Sequence, residues 1–233
     1  MNNTTSERKK KTTGAGFWLW GFGAIAVGVL TGIGILFWYT PRTYKPVQTE
    51  NTEQVSLYLT HELGPDFFNK IQQNKPFELI IPQSELNTII SQEIQSQDFG
   101  DISFSDPYIV FSDQSILLMG TLGYEGFSSV VSIIAFPTMD SSGKINMNIQ
   151  SIRLGMMPVK TLVTKLAQKA LDDNRSSFEE DPRAEESVQA IIRNEPFDPI
   201  FLFSTEYCEF WVRISNFSIE QGSLKLTLLP EEV

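Results

Sequence analysis

Apolar residues crowd into one long run and then into short, regularly spaced groups. From Thr12 to Pro41 there is no Asp, Glu, Lys, Arg or His. Phe17–Tyr39 would extend roughly 34 Å as a helix, against about 30 Å of hydrocarbon. Phe17, Trp18, Trp20 and Phe22 stand at one end of this run, and Phe37, Trp38 and Tyr39 at the other. That is the aromatic belt of a membrane span. Beyond it the periodicity predicts an α+β domain. A helix is expected from about Thr52 to Leu63, with Val55, Leu59 and Leu63 on one face, broken by Gly64-Pro65. Asp66 is placed to cap a second short piece holding Phe67, Phe68 and Ile71. Phe77, Leu79 and Ile81 alternate in a strand that stops at Pro82. Ser84 then precedes a helix from Glu85 to about Ser96, striped by Leu86, Ile89, Ile90 and Ile94.

The centre reads as an antiparallel meander: Tyr108–Phe111, Ser115–Tyr124, Phe127–Phe136 and Lys144–Leu154, joined by short polar turns. In the last of these the apolar phase flips after Ile149, which predicts a bulge or a change of surroundings. Ile116, Leu118 and Leu122 lie on one face of their strand, and Leu117 and Met119 on the other. This strand must be covered on both sides or line a site. Gly155-Met156-Met157-Pro158 opens the most regular helix, where Val159, Leu162, Val163, Leu166, Ala167 and Ala170 form the apolar stripe. Asp172–Glu186 is expected to be a mobile charged loop, followed by a short helix around Ser187–Arg193. Strands Phe210–Ile219 and Ser223–Leu229 close the chain, with a phase flip between Ile214 and Phe217. The expected fold is α+β: an N-terminal transmembrane helix and one extracytoplasmic domain. That domain is a curved, mostly antiparallel sheet of about six or seven strands packed on amphipathic helices.

Charge sets the orientation. Arg8, Lys9, Lys10 and Lys11 precede the span with Glu7 as the only acid, whereas Arg42 and Lys45 follow it. The N-terminus is therefore expected in the cytoplasm and the domain outside. Residues 1–16 form a tail, 17–39 the span, 40–51 a linker and 52–233 the domain. A cleaved leader fits poorly, because the run is long and exits through Trp-Tyr-Thr-Pro-Arg rather than small residues. The net charge is −10. Setting the four basic residues and Glu7 of the first 39 aside from 18 basic and 28 acidic leaves 14 against 27, a net −13. An acidic exterior argues against nucleic acid as a partner. Ala24, Gly28 and Gly32 recur every four residues, a small-residue face that lets a second helix approach in a homodimer or a complex with another membrane protein. Glycine is also common in membrane helices generally, so both readings stand.

Candidate chemistry is sparse. His61 is the only histidine and Cys208 the only cysteine, so serine–histidine, cysteine–histidine and most zinc chemistry have little to build on. No phosphate-binding loop, dinucleotide fingerprint or nucleophile elbow occurs. Asp172, Asn174 and Ser176 begin like a calcium loop, but Ser177 and Arg183 stand where Gly and Glu are needed. The expectation is a non-catalytic domain without metal or cofactor.

The helix around Ser84-Glu85-Leu86-Asn87, the stretch from Ser115 to Leu166 and the closing Glu209–Leu229 segment also follow a recognisable order. It resembles the YpmS-type family of bacterial single-pass membrane proteins, whose function is uncharacterised. The likeness covers about Phe77–Leu171 and Glu209–Leu229. It rests on strand–Gly–strand spacing, a turn of the Asp-Gly-x-Leu type and the Gly155-x-x-Pro158 helix entry, with no catalytic motif. More distantly, a curved sheet wrapped on a long helix is similar to tubular lipid-binding domains. The resemblance carries over no site residues; it is the sheet with two apolar faces beside the Val159–Ala170 helix that leads to the expectation of a binding domain at the bacterial cell membrane, with a lipid or other long apolar ligand held by Val159, Leu162, Val163, Leu166, Leu117 and Met119. The alternative is a non-catalytic interaction subunit of an envelope-assembly complex. The same apolar residues can also simply form the core.

Overall fold

The computed structural model describes residues 28, 31, 32, 34, 36–47, 57–93, 96–99, 102–173, 182–204 and 209–231. Residues Gly28, Thr31, Gly32, Gly34, Leu36 and Phe37 are helical, but most of the expected span lies outside the described residues. Among the described residues no helix is long and apolar enough to cross a membrane.

A π-helical turn, Leu59–Leu63, runs directly into helix α1, Gly64–Ile71. Strand β1 (Phe77–Pro82) leads into helix α2 (Gln83–Glu93). Next come β2 (Gln97–Phe99), β3 (Ile102–Ser112), β4 (Ser115–Tyr124) and β5 (Phe127–Ala135). Short strands β6 (Thr138–Met139) and β7 (Ile145–Asn146) precede β8 (Ile149–Leu154) and β9 (Met157–Pro158). Helices α3 (Lys160–Asp173) and α4 (Pro182–Arg193) follow, then β10 (Ile200–Ser204), β11 (Glu209–Glu220) and β12 (Ser223–Glu231). The fold is α+β with antiparallel pairing throughout the described strands. They form not one sheet but three: β2-β3-β4-β5-β8-β9, β1-β12-β11-β10 and the pair β6-β7. The closing hairpin does not extend the meander; it pairs with β1 instead.

Both phase flips have local causes. Asn148, at φ 46°, separates β7 from β8, so Ile145 and Ile152 belong to different sheets. The second flip is a bulge between Ile214 and Asn216. Met157-Pro158 is a short strand on β8 rather than the first turn of a helix, and α3 begins at Lys160. Gly64-Pro65 does not break the helix. Proline cannot donate and its ring crowds the carbonyl four residues back. The chain widens there into the π turn, where the Gly64 N–H reaches Leu59 O. Asp66 lies inside α1 and pairs with Lys70 at 2.7 Å instead of capping. Likewise Ser84 is inside α2, which starts at Gln83. Helix α4 takes in Pro182–Glu186 of the expected charged loop, while residues 174–181 lie outside the described residues.

In β5, Ser129, Val130, Val131 and Ser132 are all buried, so the six-stranded sheet is covered on both faces. Part of that cover comes from the segment after the expected span. The Tyr44 hydroxyl donates to Asp106 O at 2.8 Å and lies 2.9 Å from the Thr121 hydroxyl. Its ring meets Tyr108 edge-on, and Thr43 Oγ1 is 4.0 Å from the buried Met119 sulfur. Asp106 is a left-handed residue at φ 52° in a bulge of β3, which turns its carbonyl toward Tyr44.

The open edge of β3 beyond Ser105 is closed by side chains. Asn87, 2% exposed on α2, donates to Ile109 O at 2.8 Å and accepts from Ile109 N at 2.7 Å. Gln83 Oε1 accepts from Phe111 N at 2.7 Å. These amides stand in for a neighbouring strand. The same corner joins the two large sheets: Gln83 N donates to Gly222 O, Gly222 N to Phe111 O and Gln114 N to Ile219 O.

Candidate functional site

Alternation in β1 and β12 puts Leu79 opposite Leu226 and Phe77 opposite Leu228 on one face of the four-stranded sheet. Val212 and Ile214 of β11 continue this face, and Phe201 of β10 pairs with Val212. The helical segment crosses above it. Phe67 and Ile71 of α1 are buried against Phe77, Leu79, Val212 and Leu228. Phe67 packs on Phe203 at 4.5 Å between ring centroids and edge-on to Phe68 and Phe77, and Phe68 meets Phe210 edge-on.

Among the described residues the helical segment leaves part of this face uncovered. Between them is a groove of about 650 Å³. Its helical wall is formed by Leu59, Leu63, Pro65, Phe67 and Phe68. Its floor is Leu79 and Ile81 of β1, Leu226 and Leu228 of β12, and Val212 and Ile214 of β11; Phe201 and Phe203 form the far rim. Among the described residues Thr60 is the single polar side chain in the lining, and its hydroxyl donates to Leu57 O. No titratable group among the described residues lines the groove. Phe203 is 48% exposed, which is high for a phenylalanine built into a core.

The helix is pinned along the β1 side. Lys70 Nζ donates to Glu78 O at 3.0 Å, and the Tyr58 hydroxyl donates to Ile80 O at 3.2 Å. Both carbonyls point outward from the edge of β1, so these side chains cap that edge and fix the groove's closed side. The Tyr58 phenol is held above its ordinary pKa, first by burial and then by Glu62, Glu85 and Asp66, and it stays protonated at neutral pH.

The residues expected to hold a ligand sit elsewhere. Met119 is buried near Thr43, and Leu117 is half-buried on the same strand. Val159 donates its N–H to Ile152 O and Val163 lies one turn into α3, both half-buried; Leu162 and Leu166 are on the same helix. Helix α3 packs on α4 and β8. Val159, Val163, Leu117 and Met119 are not among the residues lining the groove. At Gly28 and Gly32 nothing described lies within 4 Å of where a Cβ would stand; Ala24 is outside the described residues. His61 is exposed in the π turn, and Cys208 is outside the described residues. The groove was signalled by features not brought together from the sequence: the alternation of β1 and β12, and the Ile200-Phe201-Leu202-Phe203 run, to which no strand was assigned.

A second cavity, about 310 Å³, includes Lys144, Arg183, Glu186, Asp198 and Arg213 in its lining. Its charges are largely engaged with one another. Asp198 lies 3.7 Å from both Lys144 and Arg213, Arg213 pairs with Glu231 at 2.5 Å, and the Arg183 guanidinium stacks 4.6 Å from the Trp211 ring. Arg183 thus ties α4 to β11, and Arg213 ties β11 to β12 and to Asp198. Among the described residues no group of three or more His, Cys, Asp or Glu is placed to hold a metal ion. No protein-family model, curated protein or solved structure matches the chain.

Proposed function

We propose that the chain is a single-pass, membrane-anchored domain on the extracytoplasmic side that binds a lipid or other long apolar ligand without catalysis. The binding site in this reading is the groove between α1 and the four-stranded sheet, rather than the face of α3. The carrying observation is a groove of about 650 Å³ whose lining side chains, among the described residues, are apolar except for Thr60. Small-molecule sites measure about 300–1,000 Å³ and are mostly apolar, with a few polar groups to orient the ligand. Here even those few are nearly absent. An extended peptide would bring backbone N–H and C=O groups that need partners, whereas an acyl chain needs none. A span ending at Tyr39 would hold the site close to a lipid supply.

The test is native mass spectrometry with lipid extraction on Pro41–Val233 purified from its host. This fragment keeps Thr43 and Tyr44, which pack on the six-stranded sheet. A stoichiometric lipid is expected, and it should be lost in Phe203→Asp, where a half-exposed ring tolerates replacement. A ligand-free mass for the parent fragment, or a lipid retained unchanged in Phe203→Asp, would overturn the reading. A ligand-free mass would turn attention to the interaction-subunit alternative.

A further inference from the structure

The end of the expected anchor does not hang free. Met156 N donates to Leu36 O at 2.8 Å, and Ser129 Oγ donates to Phe37 O at 2.5 Å. Gly155, at φ 58°, donates to Val130 O, and a Cβ there would fall on the carbonyl oxygens of Leu36 and Phe37. The helix end is therefore seated against the turn between β8 and β9 and the start of β5.

The chain's course then fixes a direction. Phe37 meets Ser129, which pairs with Leu122. Six residues later Thr43 reaches Met119, which pairs with Ser132. Leaving the anchor, the chain runs along β4 and β5 away from the Tyr124–Phe127 turn. That turn therefore points back toward the bilayer. Phe127 lies two residues before Ser129, about 7 Å further in that direction at the strand rise.

The side chains at this end suit the position. Tyr124 and Phe127 are a cross-strand pair flanking the tight turn Glu125-Gly126, whose two residues both have positive φ. Phe127 is 58% exposed, Met156 50% and Trp38 63%; Leu36, Tyr39 and Tyr124 are also exposed. These six account for over half of the exposed large hydrophobics among the described residues, gathered where the anchor meets the domain.

We infer that the Tyr124–Phe127 turn and the Met156 turn insert into the interfacial layer of the same bilayer that the anchor spans. The inference rests on the membrane-span reading. The domain would then stand on three points, the helix end and two apolar tips, rather than swing on a linker. Apolar surface of this kind enters about 5–10 Å into the boundary between headgroups and acyl chains. Glu125 at the tip limits the depth to headgroup level. The acidic net charge of the domain works against an anionic surface, so the contact is carried by apolar burial.

The test uses the full chain with Cys208→Ser and one new cysteine at a time: Trp38→Cys, Phe127→Cys, Met156→Cys or Ser141→Cys. Each is labelled with an environment-sensitive fluorophore and reconstituted into phosphatidylcholine–phosphatidylglycerol vesicles, with or without lipid brominated high on the acyl chain. Ser141, exposed beyond the other end of β5, is the water-side reference. The expected result is strong loss of fluorescence at positions 38, 127 and 156, and none at 141. Because a label is itself apolar, the unlabelled thiols are also timed with a charged, membrane-impermeant reagent. Positions 127 and 156 should react far more slowly than 141. Quenching at 38 with positions 127 and 156 behaving like 141 would overturn this inference and leave the span intact. No quenching at 38 would overturn the span, and the inference with it.

Discussion

Replacing Gly155 with alanine tests how firmly the anchor end is held. Two costs fall on this residue. Its φ of 58° lies in the left-handed region, where an L-residue with a Cβ costs about 1–2 kcal/mol. In addition, the new methyl would occupy the place of the Leu36 and Phe37 carbonyl oxygens. The helix end must then withdraw, breaking the bonds from Met156 N and Ser129 Oγ. At about 0.5–1.5 kcal/mol each, these bring the total to about 2–5 kcal/mol. Gly143 supplies the control: its φ is 81°, but a Cβ there meets nothing within 4 Å, so Gly143→Ala carries only the backbone cost. The assay is thermal unfolding of both variants, in the full chain and in a chain beginning at Pro41. For a domain of this size each kcal/mol moves the midpoint by about 2–4 °C. In the full chain Gly155→Ala should fall clearly below Gly143→Ala; in the shortened chain the two should converge. Equal losses in the full chain, or a gap that survives truncation, would refute the account of Gly155.

Asn87→Leu should destabilise the chain by about 2–4 kcal/mol in urea titration, because the Ile109 N–H and carbonyl both lose their partner at a buried edge. A loss within about 0.5 kcal/mol, as at ordinary surface sites, would contradict the edge-closing role. Burial first, and the Asp106 carboxylate second, raise the Tyr44 phenol above its usual value near 10, against the Thr121 hydrogen bond. A raised folded value means the stabilisation is complete below about pH 10 and is lost as pH rises through that value. Urea midpoints at pH 9 and 11 should therefore fall less in Tyr44→Phe than in the parent. Asp140 is shifted the other way, held low by the Ser142 hydroxyl and the Lys144 N–H. Its contribution is present above about pH 4 and lost as pH falls through the lowered folded value. Asp140→Asn should flatten the acid limb of the stability profile, and an unchanged limb would show that this turn carries no such dependence.

Most of the secondary structure was legible because the meander obeys local rules. The β4 boundaries came directly from two turn signals, Asp113-Gln114 and Glu125-Gly126. Both phase flips were visible, although their causes, the left-handed Asn148 and the bulge at Ile214–Asn216, were not. What stayed hidden was pairing. Nothing local in Phe210–Ile219 says whether its neighbour is the meander or the distant Phe77–Pro82 strand, and that choice separates one sheet from two. The groove was lost with it, because its lining comes from five stretches in two regions, 59–81 and 201–228, far apart in sequence. The Val159–Ala170 stripe drew attention as the most regular amphipathic pattern, yet amphipathicity reports only that a face is covered, not by what.

The polar residues carry the information the apolar pattern lacks. In a helix read only for its stripe, Asn87 sits beside Leu86 as an unremarked amide, yet it is the most completely buried polar residue described. An asparagine can afford such burial only by satisfying both ends of its amide, and a strand edge offers a matching donor and acceptor at Ile109. The same logic repeats at β1, where Tyr58 and Lys70 take the outward carbonyls of Ile80 and Glu78. Side chains from helices thus close edges that would otherwise recruit another chain. They also set the geometry of the groove. Gln83 ties α2 to the Gly222 turn and so to the groove sheet, while Tyr58 and Lys70 hold the groove's helical wall to β1. The apolar groove is thus framed by polar attachments at its margins, which fix where its wall and floor stand.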